Sequence, residues 1–211
     1  MPLNFKVSGG GDFKSVPAGS HIAVCNMVVD IGLQPGSLLY PDPKHKVYIR
    51  FETPNERVES ERDGRKFDGP QVVGATFTAS MHEKANLRKQ LEGWRGRKFT
   101  DEEAGTFDVA SILGKPCMLN VVETVKEGKV YTNIASISPI PKGVPLPEPE
   151  NPLILFTEDV PDSFQSLPEW LRKKINERIL PKGENTTGVS ADHSKYDFDQ
   201  STAITDDDIP F

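Results

Sequence analysis

The sequence predicts a mainly β protein, in which five strands form a small barrel and a helix lies between the third and fourth strands. Apolar and polar residues alternate at 46–52 and 72–79, which marks two of the strands. The period then changes to that of a helix, with Leu87 and Leu91 one turn apart. Two further β-rich segments follow, and the short connection at 126–128 between them is typical of a hairpin.

Taken in chain order, the predicted elements are separated by segments rich in glycine, proline and charge. The predicted strands cover residues 21–31, 46–52, 72–79, 116–125 and 129–137, and a charged loop covers 53–70. A helix is predicted over 80–94, because Ser80 and Glu83 form a capping-box pattern. A second short helix is predicted to start at Thr100, ahead of acidic residues that suit the helix dipole. This order of strands and helices is that of an OB-fold, a five-stranded Greek-key barrel.

Charge and composition divide the chain into a body and a C-terminal region. Residues 1–143 carry 19 Lys+Arg and 17 Asp+Glu, whereas residues 144–211 carry 6 and 14, so a near-neutral body precedes an acidic region. The predicted segments are an irregular leader (1–20), an OB-fold domain (21–143), a proline-rich linker (144–165), an amphipathic helix (166–180) and a disordered acidic tail (181–211).

The predicted C-terminal helix carries an apolar stripe of Leu171, Ile175 and Ile179. We expect this stripe to dock on the protein's own domain or on a sister subunit. A basic helix that binds nucleic acid or a membrane is the less favoured alternative.

The composition excludes several classes of protein. Cys25 and Cys117 lie in apolar segments without a CxxC motif or an adjoining cysteine or histidine, which excludes a disulfide framework and a zinc site. No apolar run approaches the ~20 residues that a membrane span needs, so we expect a cytoplasmic protein. The histidines lie in no metal or catalytic motif and no phosphate-binding glycine motif is present, so we expect neither an enzyme nor a cofactor.

The most specific signal is the C-terminal run Asp206-Asp207-Asp208-Ile209-Pro210-Phe211. A merely solubilising tail does not explain its apolar residues. A terminal Phe presents a ring beside the chain's own carboxylate, and such a tip can insert into an apolar pocket with a basic rim. A cation site on the three aspartates is much less favourable, because consecutive carboxylates on a mobile tail are not preorganised.

This run resembles the acidic tip of bacterial-type single-stranded DNA-binding proteins. In that family the tip recruits replication and repair enzymes, and a flexible linker joins it to an OB-fold. The body also resembles the OB-fold single-stranded DNA-binding proteins of bacteriophages through residues 81–89, 94–97 and 113–117. The long proline-rich linker and the extra helix depart from the compact bacterial form, which leaves the oligomeric state open.

The resemblance implies a non-enzymatic protein that coats and protects single-stranded DNA without sequence preference. It implies roles in replication, recombination or repair, in the cytoplasm of a bacterial or phage-infected cell. The implied partners are single-stranded DNA and, through residues 206–211, replication and repair enzymes, but no membrane; a homo-oligomer stays open. Two alternatives remain: an adaptor or decoy that binds those enzymes through the tail without binding DNA, and a metal-dependent nuclease.

Binding of single strands requires basic side chains for the phosphates and aromatic rings for the bases. The candidate DNA-binding residues are Tyr48, Arg50, Arg57, Arg62, Arg65, Lys66, Trp94, Arg95, Arg97, Lys98, Lys126, Lys129 and Tyr131. Tyr48 and Tyr131 lie on polar strand faces near basic residues, so they are the favoured stacking rings. An alternative role for Trp94 is to close the helix onto the barrel. The basic residues of loop 53–70 have an alternative partner in the acidic residues of the same loop.

Overall fold

The computed structural model describes residues 15–36, 38, 40–62, 65–126 and 128–180. For residues 60–62, 65–67 and 129, the description covers the backbone only. The predicted leader up to residue 14 and the predicted acidic tail, including the tip at 206–211, lie outside the described residues.

The described elements form a mainly β fold. The strands are β1 (Gly19–Gln34), β2 (Lys44–Arg62), β3 (Arg65–Thr78), β4 (Pro116–Lys126), β5 (Lys129–Ser138) and β6 (Ile154–Phe156). The α-helices are α1 (Asn86–Arg95), α2 (Asp101–Thr106) and α3 (Glu169–Asn176), with 3-10 turns at Val109–Ile112 and Pro161–Ser166. All five predicted strands are therefore present, and α1 lies between β3 and β4 as predicted.

The strands form one sheet in the order β3-β2-β1-β4-β5, with β1 at its centre. The C-terminal part of β1 pairs with β2, its N-terminal part pairs with β4, and all four ladders of this path are antiparallel. β6 adds to β1 in parallel, with Met27 opposite Ile154. Cα atoms of β3 and β5 approach within 8 Å, but no ladder joins the described residues of these strands, so the sheet is open. The mainly β prediction is confirmed, and a closed barrel is not.

The charged loop predicted over 53–70 is wrong, because β2 and β3 continue through this segment as a hairpin. Arg57 pairs with Pro70, and the ladder runs on to Arg62 opposite Arg65. The prolines that indicated a loop instead lie at an irregularity between Thr53 and Arg57, where the register shifts. The β2–β3 ladder thus continues from the core to the tip of the hairpin, although this segment carries many charged side chains.

The capping box predicted at Ser80 is also wrong. Ser80 Oγ accepts a hydrogen bond from the His82 backbone N–H at 3.2 Å, which stabilises a turn, and α1 begins at Asn86. The cap predicted at Thr100 is confirmed: Thr100 Oγ1 accepts from the Glu103 N–H, and the Glu103 carboxylate accepts from the Thr100 N–H.

The main core lies between one face of the sheet and α1. It contains Ile49, Phe51 and Phe77 from β2 and β3, together with Leu87 and Leu91 from the helix. At Gly93, a Cβ would lie 2.7 Å from the carbonyl oxygen of Ile137, so the glycine allows α1 to pack closely on β5.

A second core lies on the other face of β1 and contains the docked C-terminal helix. Leu171 and Ile175 of α3 are buried against Met27, Val29 and Ile31 of β1. Of the two docking partners expected from sequence, the protein's own domain is the one observed here, although α3 is shorter than the predicted 166–180 and leaves Ile179 exposed. The segment from 150 to 178 is thus attached to the sheet rather than separated from it.

Candidate nucleic-acid interface

Two hairpins extend from the same end of the sheet. β2 and β4 both run antiparallel to β1 and continue toward and past its N-terminal end, where Glu52 is opposite Val24 and Val121 is opposite Gly19. We call residues 57–70 the first arm and residues 122–133 the second arm. Each arm is about 13–17 Å long at ~3.3 Å per residue. Seven of the thirteen candidate DNA-binding residues predicted from sequence lie on these two arms. They are Arg57, Arg62, Arg65, Lys66, Lys126, Lys129 and Tyr131.

The first arm carries equal numbers of basic and acidic residues, and three of its basic residues are near its tip. Arg62 is opposite Arg65, and Lys66 is opposite Glu61. Nearer the sheet, Arg57 Nε donates to Asp68 at 3.0 Å, and its Nη1 donates to both carboxylate oxygens of Glu150 at 2.8 Å. The Asp68 and Glu150 carboxylates hold the pKa of the Arg57 guanidinium above its ordinary value. A phosphate at Arg57 would therefore have to replace a carboxylate.

Near its turn, the second arm exposes two valines, a tyrosine and a lysine. Val125 and Val130 are opposite each other and are 72% and 58% exposed, and Tyr131 is 39% exposed. Lys126, which is exposed, is opposite Lys129 at the end of the ladder. Because side chains alternate along a strand, Tyr131 and Lys126 share one face of this arm and the two valines share the other.

The residues around Trp94 lie at the opposite end of β4. Trp94 Nε1 donates to the carbonyl oxygen of Pro116 at 2.9 Å, and its ring packs 5.6 Å from that of Phe51. Pro116 begins β4 and Lys126 ends it, a separation of about 33 Å at ~3.3 Å per residue. Trp94 therefore closes α1 onto the sheet, which is the alternative role considered from sequence.

Arg95 and Arg97 are both engaged by one carboxylate. Arg97 donates to Glu103 through Nη1 at 2.9 Å and Nη2 at 2.6 Å, and Arg95 Nη2 donates to it at 3.1 Å. The hydrogen bonds from Arg97, the Thr100 N–H and Arg95 lower the pKa of Glu103 to about 2. Lys98 beside them is exposed. The structure does not bring this group to the arms.

Tyr48 and Arg50 lie on the sheet face that the C-terminal segment covers. The Tyr48 ring contacts that of Trp170 edge to face, with centroids 5.0 Å apart, and burial raises the pKa of its hydroxyl. Arg50 Nε donates to Asn26 Oδ1 at 3.0 Å, and burial lowers the pKa of its guanidinium. Both side chains are half-buried.

Glu52 attaches the start of the C-terminal segment to this face. Its carboxylate is fully buried and accepts hydrogen bonds from Asn26 Nδ2 at 3.0 Å and from the Glu150 N–H at 2.6 Å. It also accepts from the backbone N–H and the Nδ2 of Asn151, at 3.0 and 2.7 Å. The segment 150–151 thus provides the Glu150 carboxylate to Arg57 and the backbone N–H groups of both its residues to Glu52.

Sequence reasoning missed Trp170. This residue is 45% exposed on α3, beside Tyr48 and four residues before Lys174. The available signal was a tryptophan that precedes the apolar Leu171 and three consecutive basic residues at 172–174, off the buried stripe of the helix.

Metal ligands, thiols and helix lengths are also defined in the described part of the chain. No group of three or more His, Cys, Asp or Glu side chains there is placed to hold a metal ion. Burial raises the pKa of the Cys25 thiol to about 12 and that of Cys117 well above its ordinary value. None of the described helices has the length and apolar run that a bilayer crossing requires.

Comparison with known proteins does not assign the chain to a family. No protein-family model matches it, and no curated protein matches its sequence.

Proposed function

We propose that this protein binds and protects single-stranded DNA without sequence preference and is not an enzyme. The observation that carries the proposal is the pair of arms, which places basic residues and an exposed tyrosine at one end of the sheet. Phosphates would contact the basic residues, and Tyr131 would stack on a base. The acidic tip supports the same function, because it resembles the tip of single-stranded DNA-binding proteins.

We further propose that the domain is of OB-fold type. The shared central strand β1, the helix between β3 and β4, and the approach of β3 to β5 support this assignment. In this proposal the protein acts in replication, recombination or repair, in the cytoplasm of a bacterial or phage-infected cell. Residues 206–211 recruit replication or repair enzymes to the coated strand.

The proposal is tested by fluorescence anisotropy of labelled oligo-dT, with duplex DNA of equal length as the control. We expect full-length protein to prefer the single strand and to bind it more weakly as salt increases, because binding releases condensed counterions. A form that lacks residues 206–211 should still bind the single strand. If neither form binds it, the proposal is wrong and an adaptor that acts through the tail becomes the better hypothesis.

Lys126→Gln tests the second arm specifically. Loss of one phosphate contact should reduce the slope of log affinity against log salt by about 0.7 for a single strand. Lys142→Gln is the matched control, because Lys142 is also exposed and follows the far end of β5. Equal effects of the two substitutions would show that only overall charge matters and that the arm is not a contact surface.

A further inference from the structure

Trp170 is an exposed aromatic ring held in a defined orientation. It is 45% exposed, whereas its neighbour Leu171 is fully buried and fixes α3 on the sheet. One contact of the Trp170 ring is the ring of Tyr48, at 5.0 Å and an interplanar angle of 89°. At 45% exposure, part of the Trp170 side chain is accessible to a ligand.

The Tyr48 side chain packs against the neighbouring strand β3. It crosses the neighbouring strand at Gly74, where a Cβ would overlap the Tyr48 hydroxyl and ring. The glycine therefore lets the tyrosine lie against β3, and the tyrosine supports the tryptophan. Because a preorganised ring loses little conformational entropy on binding, this arrangement favours stacking of a ligand.

A lysine of α3 lies near the Trp170 ring. Lys174 Nζ lies 5.8 Å from the Trp170 ring centroid, and Lys173 and Lys174 are both exposed. Glu169, the acidic residue at the start of α3, directly precedes Trp170, and Glu177 at the C-cap lies 3.9 Å from Lys173. An exposed ring beside cationic side chains matches a base joined to its phosphate.

We propose that Trp170, supported by Tyr48 and flanked by Lys174, is a base-stacking site for single-stranded DNA. This inference rests on the proposed function and adds the C-terminal helix to the interface. Tyr48 is opposite Val29 in β1, ten residues from Gly19 at the end where the arms begin. The site is thus about 33 Å along the strand from that end, at ~3.3 Å per residue.

The first experiment uses Trp170 as its own reporter in the full-length chain. The protein has two tryptophans, so Trp94→Phe leaves Trp170 as the only one. Oligo-dT of about 20 nucleotides is titrated while its anisotropy reports binding and tryptophan emission reports stacking. We expect quenching of Trp170 that saturates with the anisotropy. If Trp94→Phe does not fold, the wild type is compared with Trp170→Phe, which should lose most of the quenching.

The second experiment measures affinity. Trp170→Ala should weaken oligo-dT binding about five- to 150-fold, the range expected for loss of one stacked base. Leu146→Ala, which truncates a 66% exposed apolar residue on the proline-rich segment, is the control and should not change affinity. Melting curves check that both variants fold.

The outcomes separate this inference from the proposed function. If no form binds oligo-dT, the proposed function fails and this site fails with it. If wild type binds oligo-dT but Trp170 emission and the affinity of Trp170→Ala are both unchanged, the stacking site is wrong and the proposed function stands.

Discussion

Replacing Glu52 by alanine should detach the C-terminal segment from the sheet. The buried carboxylate accepts four hydrogen bonds, from Asn26 Nδ2, the Glu150 N–H, and the N–H and Nδ2 of Asn151. Truncation to alanine leaves these donors without their acceptor in a buried site. Each donor that remains buried without a partner costs roughly 1–3 kcal/mol, and some donors regain hydrogen bonds to water as the segment opens. We therefore expect the free energy of unfolding to fall by about 3–5 kcal/mol.

Glu52→Gln should be milder, and the structure gives the reason. Oε2 accepts three of the four hydrogen bonds and Oε1 accepts one, so a glutamine oxygen at the Oε2 position keeps three of them. Its amide nitrogen then faces the Glu150 N–H, where two donors meet. We expect a loss of about 1–3 kcal/mol, for one bond to a charged group and the weakening of the others.

The assay is urea unfolding together with hydrogen exchange of the backbone amides. In Glu52→Ala, amides of β6 and α3 should exchange faster than in wild type, because both elements follow the released attachment point. Glu59→Ala is the control, since Glu59 lies on the same strand and is exposed. A Glu52→Ala protein with wild-type stability and unchanged protection of α3 would refute the role assigned to this carboxylate.

Three further predictions concern packing and protonation. Gly93→Ala should destabilise the fold by about 1–2 kcal/mol, because the new Cβ would lie 2.7 Å from a β5 carbonyl oxygen. Gly105 has open space around it, so Gly105→Ala should stabilise the fold by up to ~1 kcal/mol through helix propensity. Equal urea midpoints for the two variants would contradict this prediction. Leu171→Ala, at a fully buried position, should cost about 2–5 kcal/mol, and a cost below ~1 kcal/mol would show that α3 is not packed as described. The Asp30 carboxylate, 2.6 Å from His45 Nε2, raises the pKa of that imidazole above 6.5, so this pair contributes stability that is complete below pH 6.5 and is lost as pH rises through the folded-state pKa. NMR titration should find a lower pKa for His45 in Asp30→Asn, and an unchanged value would contradict the assignment.

The covered sheet face shows why the predicted DNA-binding residues separate in space. Sequence patterns place Tyr48 and Arg50 on the polar face of β2, which is correct, but they do not show what packs on that face. The covering contacts join residues far apart in the chain, such as Glu52 and the Glu150 N–H, 98 positions apart. Individual residues carry no signal of such long-range pairing.

Short-range sequence patterns were sufficient to predict the elements that depend mainly on residues close together in the chain. Alternation over 46–52 and 72–79 identified β2 and β3, and the apolar stripe at Leu171 and Ile175 identified the docking face of α3. The cap at Thr100 was predictable because both partners of its capping box lie within four residues. The acidic tip is visible only in the sequence, since it lies outside the described residues.

Only the tertiary structure decided which candidates share a surface. Segment 53–70 has the composition of a loop, yet it continues the ladder because the paired core strands on either side propagate their register outward. The common direction of β2 and β4 past β1 then places both arms at one end, while the contact of Trp94 with Pro116 keeps the α1 group at the other. Strand register and long-range hydrogen bonds, rather than local propensity, therefore set the geometry of the proposed interface.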